Sequence, residues 1–590
     1  MNRFFIIAFG FVPFCLHAQP AAAGLRAGPA GHTPYVKNYF ISPLDIAWQL
    51  AGNFGELRPN HFHTGVDITT HGVQGLPVKA AAEGYVSRIK VGPWGYGKAL
   101  YITHPNGFTT VYGHLSHFSP ALDAYIKKNQ YGNESFEVEL FPGPSEFMVK
   151  QGEVVAFSGN TGSSGGPHLH FEVRDTRTEE AINPLLFGFP VKDAVAPVAV
   201  SLLVSPAGPS DVVNGQNGSL RFMLKKSGAD YVLANPADSI VCYGKIGFAI
   251  EGYDTESSVH GKNGVYSIRL EKEEQVIYSS RIERIPFEKS RFINCFIDYR
   301  EHKKRNVFFM RSFLLPNNQL PLYDSVVNEG YCIFNSDSTF RFRYSLGDIY
   351  GNLAQFSFKA KSLKKQPAYK DVVRMQTPFT QVLLWDTANL FEDAGYRFET
   401  PSGAFYENGI FSCSITKSSG ANKSSLFAIG DPYFPIHKEC ELTINADLPA
   451  ALQSKALIVQ LNAKGGASAV GGSWAGKGIK AGIREFGTYC VRIDTAGPRI
   501  TPANFDLKGR KQSNLSAYSS LKFTIGDNLS GISGWRGTLD GKWVLVEYEP
   551  KKKMLWYSFD ENTGKGAHEF ILELTDKCGN KTVYKKNFTR

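Results

Sequence analysis

After residue 190 the sequence is a long series of short apolar runs separated by turn residues, and helical patterns are few. This feature constrains the fold most, because such runs are typical of β-sandwich modules. Aromatic residues make up 13% of the chain and glycines number 58, which favours strands joined by many turns. At about 100–200 residues per domain, the length of 590 residues predicts about three to five domains.

An internal repeat divides this C-terminal region. One segment begins with Asp-x-x-x-Pro at Asp193 and closes with Asp-x-x-Gly-Asn at Asn352. A second segment begins in the same way at Asp494 and closes in the same way at Asn580. We therefore predict two related β-sandwich units, the first carrying an insertion, with a β-rich module between them. The predicted boundaries are 193–360, 366–493 and 494–590.

Residues 40–190 are predicted to form one β-rich domain. An Asn-Gly pair at 106–107 lies between apolar runs at 98–104 and 108–115, and this pattern predicts a hairpin with a tight turn. A Ser-Pro pair at 119–120 predicts the start of a short helix, with serine as N-cap and proline at the first helical position. Further strands or hairpin arms are predicted at 78–91, 136–141, 149–158 and 168–174.

The N-terminus has the pattern of a secretory signal peptide. Arg3 provides one positive charge, an apolar run follows from Phe4 to Leu16, and Ala18 precedes a polar residue. The run is too short to span a bilayer comfortably, and no later run is long enough. We expect a signal peptide over 1–18 and a flexible lead over 19–39. The mature protein is expected to be exported to the periplasm or cell envelope, or fully secreted.

The net charge of +10 lies in the C-terminal two-thirds of the chain. The densest basic run, Lys551–Lys553, is short and matches a hairpin turn rather than the basic tail of a nucleic-acid-binding protein. We therefore expect no nucleic-acid partner. The C-terminal β-modules are candidates for contacts with an envelope polymer or a protein. A role as spacers is the equally weighted alternative.

Histidines are concentrated in the N-terminal domain. Eight of the 14 lie between residues 61 and 170. The first motif, His63-Thr-Gly65-Val-Asp67, places an imidazole and a carboxylate four residues apart, where both can converge on one cation. Gly65 favours a tight loop running into a strand over a helix at this point.

The second motif is His168-Leu-His170, which follows a Gly-rich segment at 159–166. On a strand, residues i and i+2 face the same side, so both imidazoles are expected to project into one site. The glycines permit close backbone approach, for example to an extended substrate. Glu172 continues the alternation, and two interpretations stay open: a hydrogen bond to the site or a solvent-facing strand residue.

The third motif is Tyr112-Gly-His114-Leu115 on the returning strand of the predicted hairpin. The His-x-Gly-x-Asp motif precedes this third motif, and Gly-x-x-Gly leading to His-Leu-His-Phe-Glu follows it. In this order and spacing, the motifs of residues 40–190 resemble those of the lysostaphin/LytM-type zinc metallopeptidases. These enzymes cleave peptide bonds in bacterial cell walls. The resemblance covers about a quarter of the chain and implies a LytM-like antiparallel β-sheet catalytic domain. The expected fold is therefore mainly β: this domain followed by about three Ig-like β-sandwich modules.

The resemblance also implies roles for five residues. His63, Asp67 and His170 correspond to the zinc ligands, with one Zn²⁺ per chain, and His114 and His168 correspond to the catalytic histidines. Three protein ligands leave a fourth position of catalytic zinc for water. Which of the two catalytic histidines accepts the water proton stays open.

The other nearby histidines receive structural interpretations. His61 lies two residues before His63, but only His63 begins the His-x-Gly-x-Asp motif, so we expect His61 either to support a ligand from behind or to be structural. His71, His104 and His117 are expected at the surface or in turns.

The leading hypothesis is an exported zinc metalloendopeptidase that hydrolyses peptide bonds in peptidoglycan stem peptides or cross-links. The alternative is a non-catalytic LytM-like regulator of other wall hydrolases, or a wall-binding protein. The complete set of five motif residues favours the enzyme.

Overall fold

The computed structural model describes residues 35–255, 261–367, 381–506 and 513–590. The predicted signal peptide and the predicted lead up to residue 34 lie outside the described residues. The fold is mainly β, as predicted, with an antiparallel N-terminal domain followed by β-sandwich modules. Among the described residues, no helix has the length and apolar character needed to cross a membrane. The exact domain boundaries and the Ig-like character of the modules stay predictions.

The N-terminal domain is built on one large antiparallel sheet with a small sheet beside it. The central strands of the large sheet are nearly all buried, because apolar residues cover both of its faces. In sheet order, the main path of the large sheet is Leu50–Gly52, Val66–Thr69, His168–Asp175, Phe108–Gly113, Lys98–Thr103, Gly84–Val91 and Val138–Leu140. Met148–Val149 and Ala181–Ile182 join this sheet, Leu57–Arg58 pairs with His61–Phe62, and the small sheet is Pro77–Lys79, Val154–Phe157 and His117–Phe118.

Two local predictions in this domain are confirmed and one is corrected. The hairpin at 106–107 joins the strands Lys98–Thr103 and Phe108–Gly113, and a helix runs over Pro120–Gly132. The single strand or hairpin arm predicted at 78–91 is wrong. The chain passes from the small sheet to the large one at residues 80–83, because each half pairs with different partners.

The next β-region follows a 3₁₀ turn at Pro184–Phe187. Its strands are Val198–Pro206, Val212–Val213, Leu220–Ser227, Asp230–Leu233, Ile240–Tyr253, Ser267–Lys272, Gln275–Arg281, Arg284–Ile285, Phe309–Arg311, Tyr323–Val326, Cys332–Phe334, Thr339–Gly347 and Leu353–Ser362. Its helical segments are Phe287–Phe292, Ile293–Phe296, Tyr299–Arg305 and Asn328–Gly330. The strand Arg284–Ile285 pairs with Ala181–Ile182, so this region extends the sheet of the N-terminal domain.

The middle β-region has two five-stranded sheets that enclose an apolar core. Its strands are Gln381–Leu383, Asn389–Asp393, Tyr396–Thr400, Gly409–Phe411, Cys413–Thr416, Leu426–Ile429, Cys440–Asn445, Ala456–Leu461, Ala467–Gly471, Ser473–Ala475, Gly478–Ile483 and Gly487–Ile493, with one helical turn at Ala450–Gln453. The pair Gln381–Leu383 and Gly409–Phe411 stands outside the two main sheets.

The last region, which we call the last sandwich, comprises the strands from Arg499 to Thr589. It packs two four-stranded antiparallel sheets around an aromatic and aliphatic core. One sheet is Arg499–Pro502, Ser520–Gly526, Met554–Ser558 and Val546–Glu549; the other is Lys542–Val544, Ile532–Leu539, Ala567–Asp576 and Lys581–Thr589. A 3₁₀ turn at Pro550–Lys552 joins two strands of the first sheet.

The two halves of the internal repeat close with the same contacts. Asn580 Nδ2 donates to the Asp494 carbonyl at 2.9 Å and to Asp576 Oδ2 at 2.8 Å. Asn352 Nδ2 makes the corresponding contacts with the Asp193 carbonyl at 3.4 Å and with Asp348 Oδ2 at 2.6 Å. The closing turn of each unit is thus tied to its opening segment. Three carboxylates lie within 4.8 Å of one another at each closure: Asp193, Asp254 and Asp348, and Asp494, Asp527 and Asp576.

Candidate active site

Strand register brings the first and second histidine motifs together. The strands Val66–Thr69 and His168–Asp175 are antiparallel neighbours, and Asp67 lies directly opposite His170. Paired residues on one face of a sheet have adjacent side chains. His63 lies in the loop before the first of these strands and is 3% exposed. The predicted set of His63, Asp67 and His170 therefore converges at one buried point.

Three donor atoms form a compact triangle at this point. His63 Nε2 lies 3.0 Å from Asp67 Oδ1, His170 Nδ1 lies 2.8 Å from the same oxygen, and the two nitrogens are 3.1 Å apart. A tetrahedral zinc centre with bonds of about 2.0–2.1 Å separates its ligand atoms by roughly 3.3 Å. Two imidazole nitrogens and one carboxylate oxygen are also a donor set that suits such a cation. The residues present fit a zinc ion.

The remaining ring nitrogens of both histidines are held by acceptors. His63 Nδ1 donates to the Asn53 carbonyl at 2.7 Å, because a carbonyl can only accept. His170 Nε2 donates to Glu172 Oε1 at 2.9 Å. These bonds fix a proton on each outer nitrogen and turn His63 Nε2 and His170 Nδ1 toward Asp67. Such partners of metal-ligating histidines orient the ring and raise its basicity.

Glu172 is the centre of a buried polar network behind His170. It is fully buried, and it also accepts from Tyr96 Oη at 2.5 Å, Thr64 Oγ1 at 2.7 Å and Arg174 Nε at 2.6 Å. The Tyr96 ring stacks on the His170 imidazole, with a centroid distance of 4.9 Å. The network holds the orientation of His170 through both a hydrogen bond and a ring contact.

Charge in this pocket favours a cation. Burial would raise the pKa of Asp67, yet the neighbouring His63, His168 and His170 hold that pKa well below its usual range. Burial opposes a charged His170, yet Asp67 and Glu172 raise its pKa to about 9. Arg58 Nη2 donates to Asp67 Oδ2, the carboxylate oxygen that does not face the two histidines, at 2.8 Å. The pocket therefore stabilises an ionised carboxylate and a positive charge beside it.

The two predicted catalytic histidines flank the triangle. His114 and His168 have ring centroids 4.8 Å apart, and His168 Nε2 is 3.3 Å from Asp67 Oδ1. His114 Nδ1 donates to the Thr161 carbonyl and His168 Nδ1 donates to the Gly166 carbonyl, each at 2.8 Å. Both rings thus carry the proton on Nδ1 and keep Nε2 as an acceptor. Burial, with smaller contributions from His170 and His168, lowers the pKa of His114 to about 3.

The Gly-rich loop 159–166 supplies these two carbonyl acceptors, and its path requires glycine at tight positions. Gly162 has a φ of +72°, and a Cβ there would lie 2.3 Å from the Gly95 carbonyl oxygen. A Cβ on Gly159 would lie 2.4 Å from the Ser116 nitrogen. Only glycine allows the loop to pack this closely, at Gly162 beside the turn at 94–97 and at Gly159 beside the backbone of 114–116.

All five predicted site residues thus lie together. The open interpretation of Glu172 resolves to a buried residue bonded to the site. His61 points away, since it is exposed and its Nδ1 lies 3.0 Å from the Pro59 carbonyl. His104, expected at the surface or in a turn, begins the hairpin turn but is only 3% exposed, because its two ring nitrogens find partners in the Glu83 carbonyl and Thr110 Oγ1.

Sequence reasoning missed Tyr96 and Arg174. For Arg174 a signal existed, because the alternation of His168, His170, Glu172 and Arg174 along one strand places all four on one face. Tyr96 lies in the turn after a different strand, and no spacing in the sequence relates it to the motifs.

The N-terminal domain thus combines an antiparallel sheet with a convergent His-Asp-His set that could hold a metal ion. Residues 61–131 and 144–184 match the profile of peptidase family M23, and residues 380–494 match that of the Zu5-like domain. The match to peptidase family M23 lies within the N-terminal domain and covers less than half of the chain.

Curated relatives match in this same domain. The chain is 37% identical over 155 residues to the DD-carboxypeptidase/endopeptidase Mpg of Neisseria meningitidis serogroup B, covering 26% of each chain. It is 28% identical over 161 residues to the peptidoglycan DD-endopeptidase ShyA of Vibrio cholerae, covering 26% of this chain and 31% of that one. The match therefore spans roughly a quarter to a third of these relatives. Among solved structures, the catalytic domain of lysostaphin from Staphylococcus simulans matches 24% of this chain and 91% of its own, with 24% identity and a TM-score of 0.18.

Proposed function

We propose that this protein is an exported zinc metalloendopeptidase that hydrolyses peptide bonds in peptidoglycan stem peptides or cross-links. The observation that carries the proposal is the triangle of donor atoms from His63, Asp67 and His170, with edges of 2.8–3.1 Å. Two more imidazoles beside the triangle supply the groups that proton transfer requires.

His63 through Nε2, Asp67 through Oδ1 and His170 through Nδ1 would hold the zinc ion. When bound, zinc supplies a Lewis acid that lowers the pKa of water from 15.7 toward ~7 and polarises a carbonyl group. Asn53 and Glu172 accept the protons of the opposite ring nitrogens, so that the two ligating nitrogens point at the metal position, and Arg58 binds Oδ2 of Asp67. These contacts orient the donor set before any substrate arrives.

His114 and His168 transfer the proton of the attacking water. Each ring has its Nδ1 proton fixed on a backbone carbonyl, so Nε2 is ready to accept the proton of the attacking water. The imidazolium formed in this way donates a hydrogen bond to the oxygen of the scissile carbonyl as negative charge develops there. It then returns the proton to the nitrogen of the leaving amine.

The substrate class is proposed from the relatives. ShyA is named a peptidoglycan DD-endopeptidase and Mpg a DD-carboxypeptidase/endopeptidase. The N-terminal signal pattern adds the expectation of export, which would bring the site to peptidoglycan in the periplasm or cell envelope. The C-terminal β-modules stay candidates for contacts with envelope polymer or protein.

The direct test is digestion of purified peptidoglycan by the full chain, with mass analysis of the released peptides. The wild type is expected to release peptides whose masses identify the bond, whereas His63→Ala releases none. If His63→Ala digests peptidoglycan as the wild type does, the proposal is wrong. A wild type that binds zinc and only stimulates a partner hydrolase would favour the regulator instead.

A further inference from the structure

The last sandwich packs directly against the N-terminal domain. Tyr131 Oη donates to Asp560 Oδ2 at 2.5 Å, and the Tyr131 ring meets Trp543 edge to face. Lys98 Nζ lies 3.3 Å from Glu547 Oε2. Aromatic contact and ion pairing therefore join two parts of the chain that lie more than 400 residues apart in sequence.

One residue of this interface reaches the active-site loop. Lys551, on the 3₁₀ turn Pro550–Lys552, donates from Nζ to the Asn160 carbonyl at 2.5 Å and to the Ser164 carbonyl at 3.0 Å. A third acceptor, Asn160 Oδ1, is 3.3 Å away. All three acceptors belong to the Gly-rich loop 159–166, so one ammonium group ties two points of that loop together.

The same loop orients both catalytic histidines. Thr161, next to Asn160, provides the carbonyl that accepts from His114 Nδ1. Gly166, two residues after Ser164, provides the carbonyl that accepts from His168 Nδ1. A loop rich in glycine has high conformational freedom when unbound, so its order depends on such contacts. The two carbonyl anchors of Lys551 thus lie next to the two carbonyls that hold the imidazoles.

We propose that Lys551 of the last sandwich is a positioning residue of the peptidase site: it orders the loop 159–166 and thereby holds His114 and His168 in their working orientation. The inference rests on the proposed function for its catalytic consequence. It gives the last sandwich a role in completing the site, which neither a spacer nor a wall-binding module would have.

The test compares Lys551→Met with Lys552→Met in the full chain. Methionine keeps the apolar stem and removes the ammonium. Lys552 is the matched control, because it lies on the same turn, loses the same charge, and has an exposed side chain with no ion-pair or hydrogen-bond partner within the described residues. The readouts are kcat and KM on soluble muropeptides, zinc content, and hydrogen exchange of the segment 159–167 by mass spectrometry.

Lys551→Met is expected to lower kcat at least about tenfold while KM stays within about twofold, because misplaced catalytic groups affect the chemical step. Zinc content is expected to stay at the wild-type level, and exchange in 159–167 to accelerate. Lys551→Arg, which keeps a charged donor, should recover much of kcat. Lys552→Met should match the wild type in every readout.

Two results would overturn the inference. Unchanged exchange in 159–167 would show that Lys551 does not order the loop, and accelerated exchange with wild-type kcat would show that its order does not matter for the reaction. If the wild type itself cleaves nothing, the proposed function fails separately. In that case, hydrogen exchange and the NMR chemical shifts of the imidazole nitrogens of His114 and His168 still test the inference. If Lys551→Met leaves these chemical shifts unaltered, the inference is contradicted. Altered chemical shifts together with faster exchange support it.

Discussion

His170 Nε2 donates a 2.9 Å hydrogen bond to Glu172 Oε1, two residues further along the same strand. This contact decides which ring nitrogen is available to a metal ion. Nε2 donates its proton to Glu172, and Nδ1 is turned toward Asp67 and His63. Arg174 and His170 hold the pKa of Glu172 well below its usual range although burial opposes this, so the acceptor stays ionised.

Glu172→Gln is therefore expected to weaken zinc binding about 10-fold to 100-fold, because the neutral amide raises the basicity of His170 less than a carboxylate does. Competition with a chromogenic chelator measures this affinity. Glu179→Gln, at an exposed position just after the same strand, serves as the control and should bind zinc as the wild type does. Equal affinities for Glu172→Gln and the wild type would argue against the role of this bond.

The five site residues are expected to separate into two groups by mutation. His114→Ala and His168→Ala should keep stoichiometric zinc and lose about 10²–10⁴-fold in kcat, because the proposal gives these histidines the proton transfer and they are not part of the donor triangle. His63→Ala should lose both zinc and activity. Metal analysis beside kinetics on each purified variant measures this, and loss of zinc in His114→Ala would contradict the assignment.

The exposed His61 offers a control close to the site. His61→Ala removes an imidazole two residues from His63 and should leave both zinc content and kcat unchanged.

Acid stability should depend on His104. Burial lowers the pKa of this histidine to about 4, against a hydrogen bond from the ring to the Glu83 carbonyl. The unfolded chain, with a pKa near ~6.5, binds the proton first as the pH falls. The stability that neutral His104 contributes is thus complete above pH ~6.5 and is lost as the pH falls toward 4, by about 2 kcal/mol between pH 7 and pH 5.

His104→Gln removes the titrating group and should reduce the loss of stability between pH 7 and pH 5 by that amount. Urea unfolding at the two pH values measures the difference, and His71→Gln at an exposed position is the control. An identical pH dependence in His104→Gln and the wild type would contradict the buried neutral state.

The contact of Asn580 that closes the last sandwich should contribute measurably to the free energy of unfolding of this module. Asn580→Ala removes the two bonds from Nδ2 and leaves the buried Asp494 carbonyl and Asp576 carboxylate short of a donor. The expected cost is about 1–3 kcal/mol in the unfolding of this module. Asn587→Ala, at an exposed position on a neighbouring strand, should change stability by less than about 0.5 kcal/mol. A midpoint for Asn580→Ala equal to that of Asn587→Ala would contradict the account.

Local patterns in the sequence predicted much of the site. His168 and His170 face one side because strand alternation is a property of the backbone alone, and the Asn-Gly pair at 106–107 fixes the hairpin that carries His114. The assignment of ligands and catalytic groups came from the family resemblance and stays a proposal, although the five residues do lie together.

What the sequence could not provide is contact between distant segments. Buried Glu172 accepts a hydrogen bond from Tyr96, which lies 76 residues earlier in the sequence. Lys551 donates a hydrogen bond to Asn160, which lies 391 residues earlier. The break in the strand expected at 78–91 likewise follows from a change of sheet partners. Each of these depends on tertiary packing, which no local spacing encodes.

The most direct test of the central claim is to titrate metal-free protein with Zn²⁺ and follow peptide release from peptidoglycan at each addition. We expect hydrolysis to rise in proportion to zinc and to level off at one equivalent per chain in the wild type, with no rise in His63→Ala. Full hydrolysis by the metal-free protein, or wild-type hydrolysis by His63→Ala, would contradict the account.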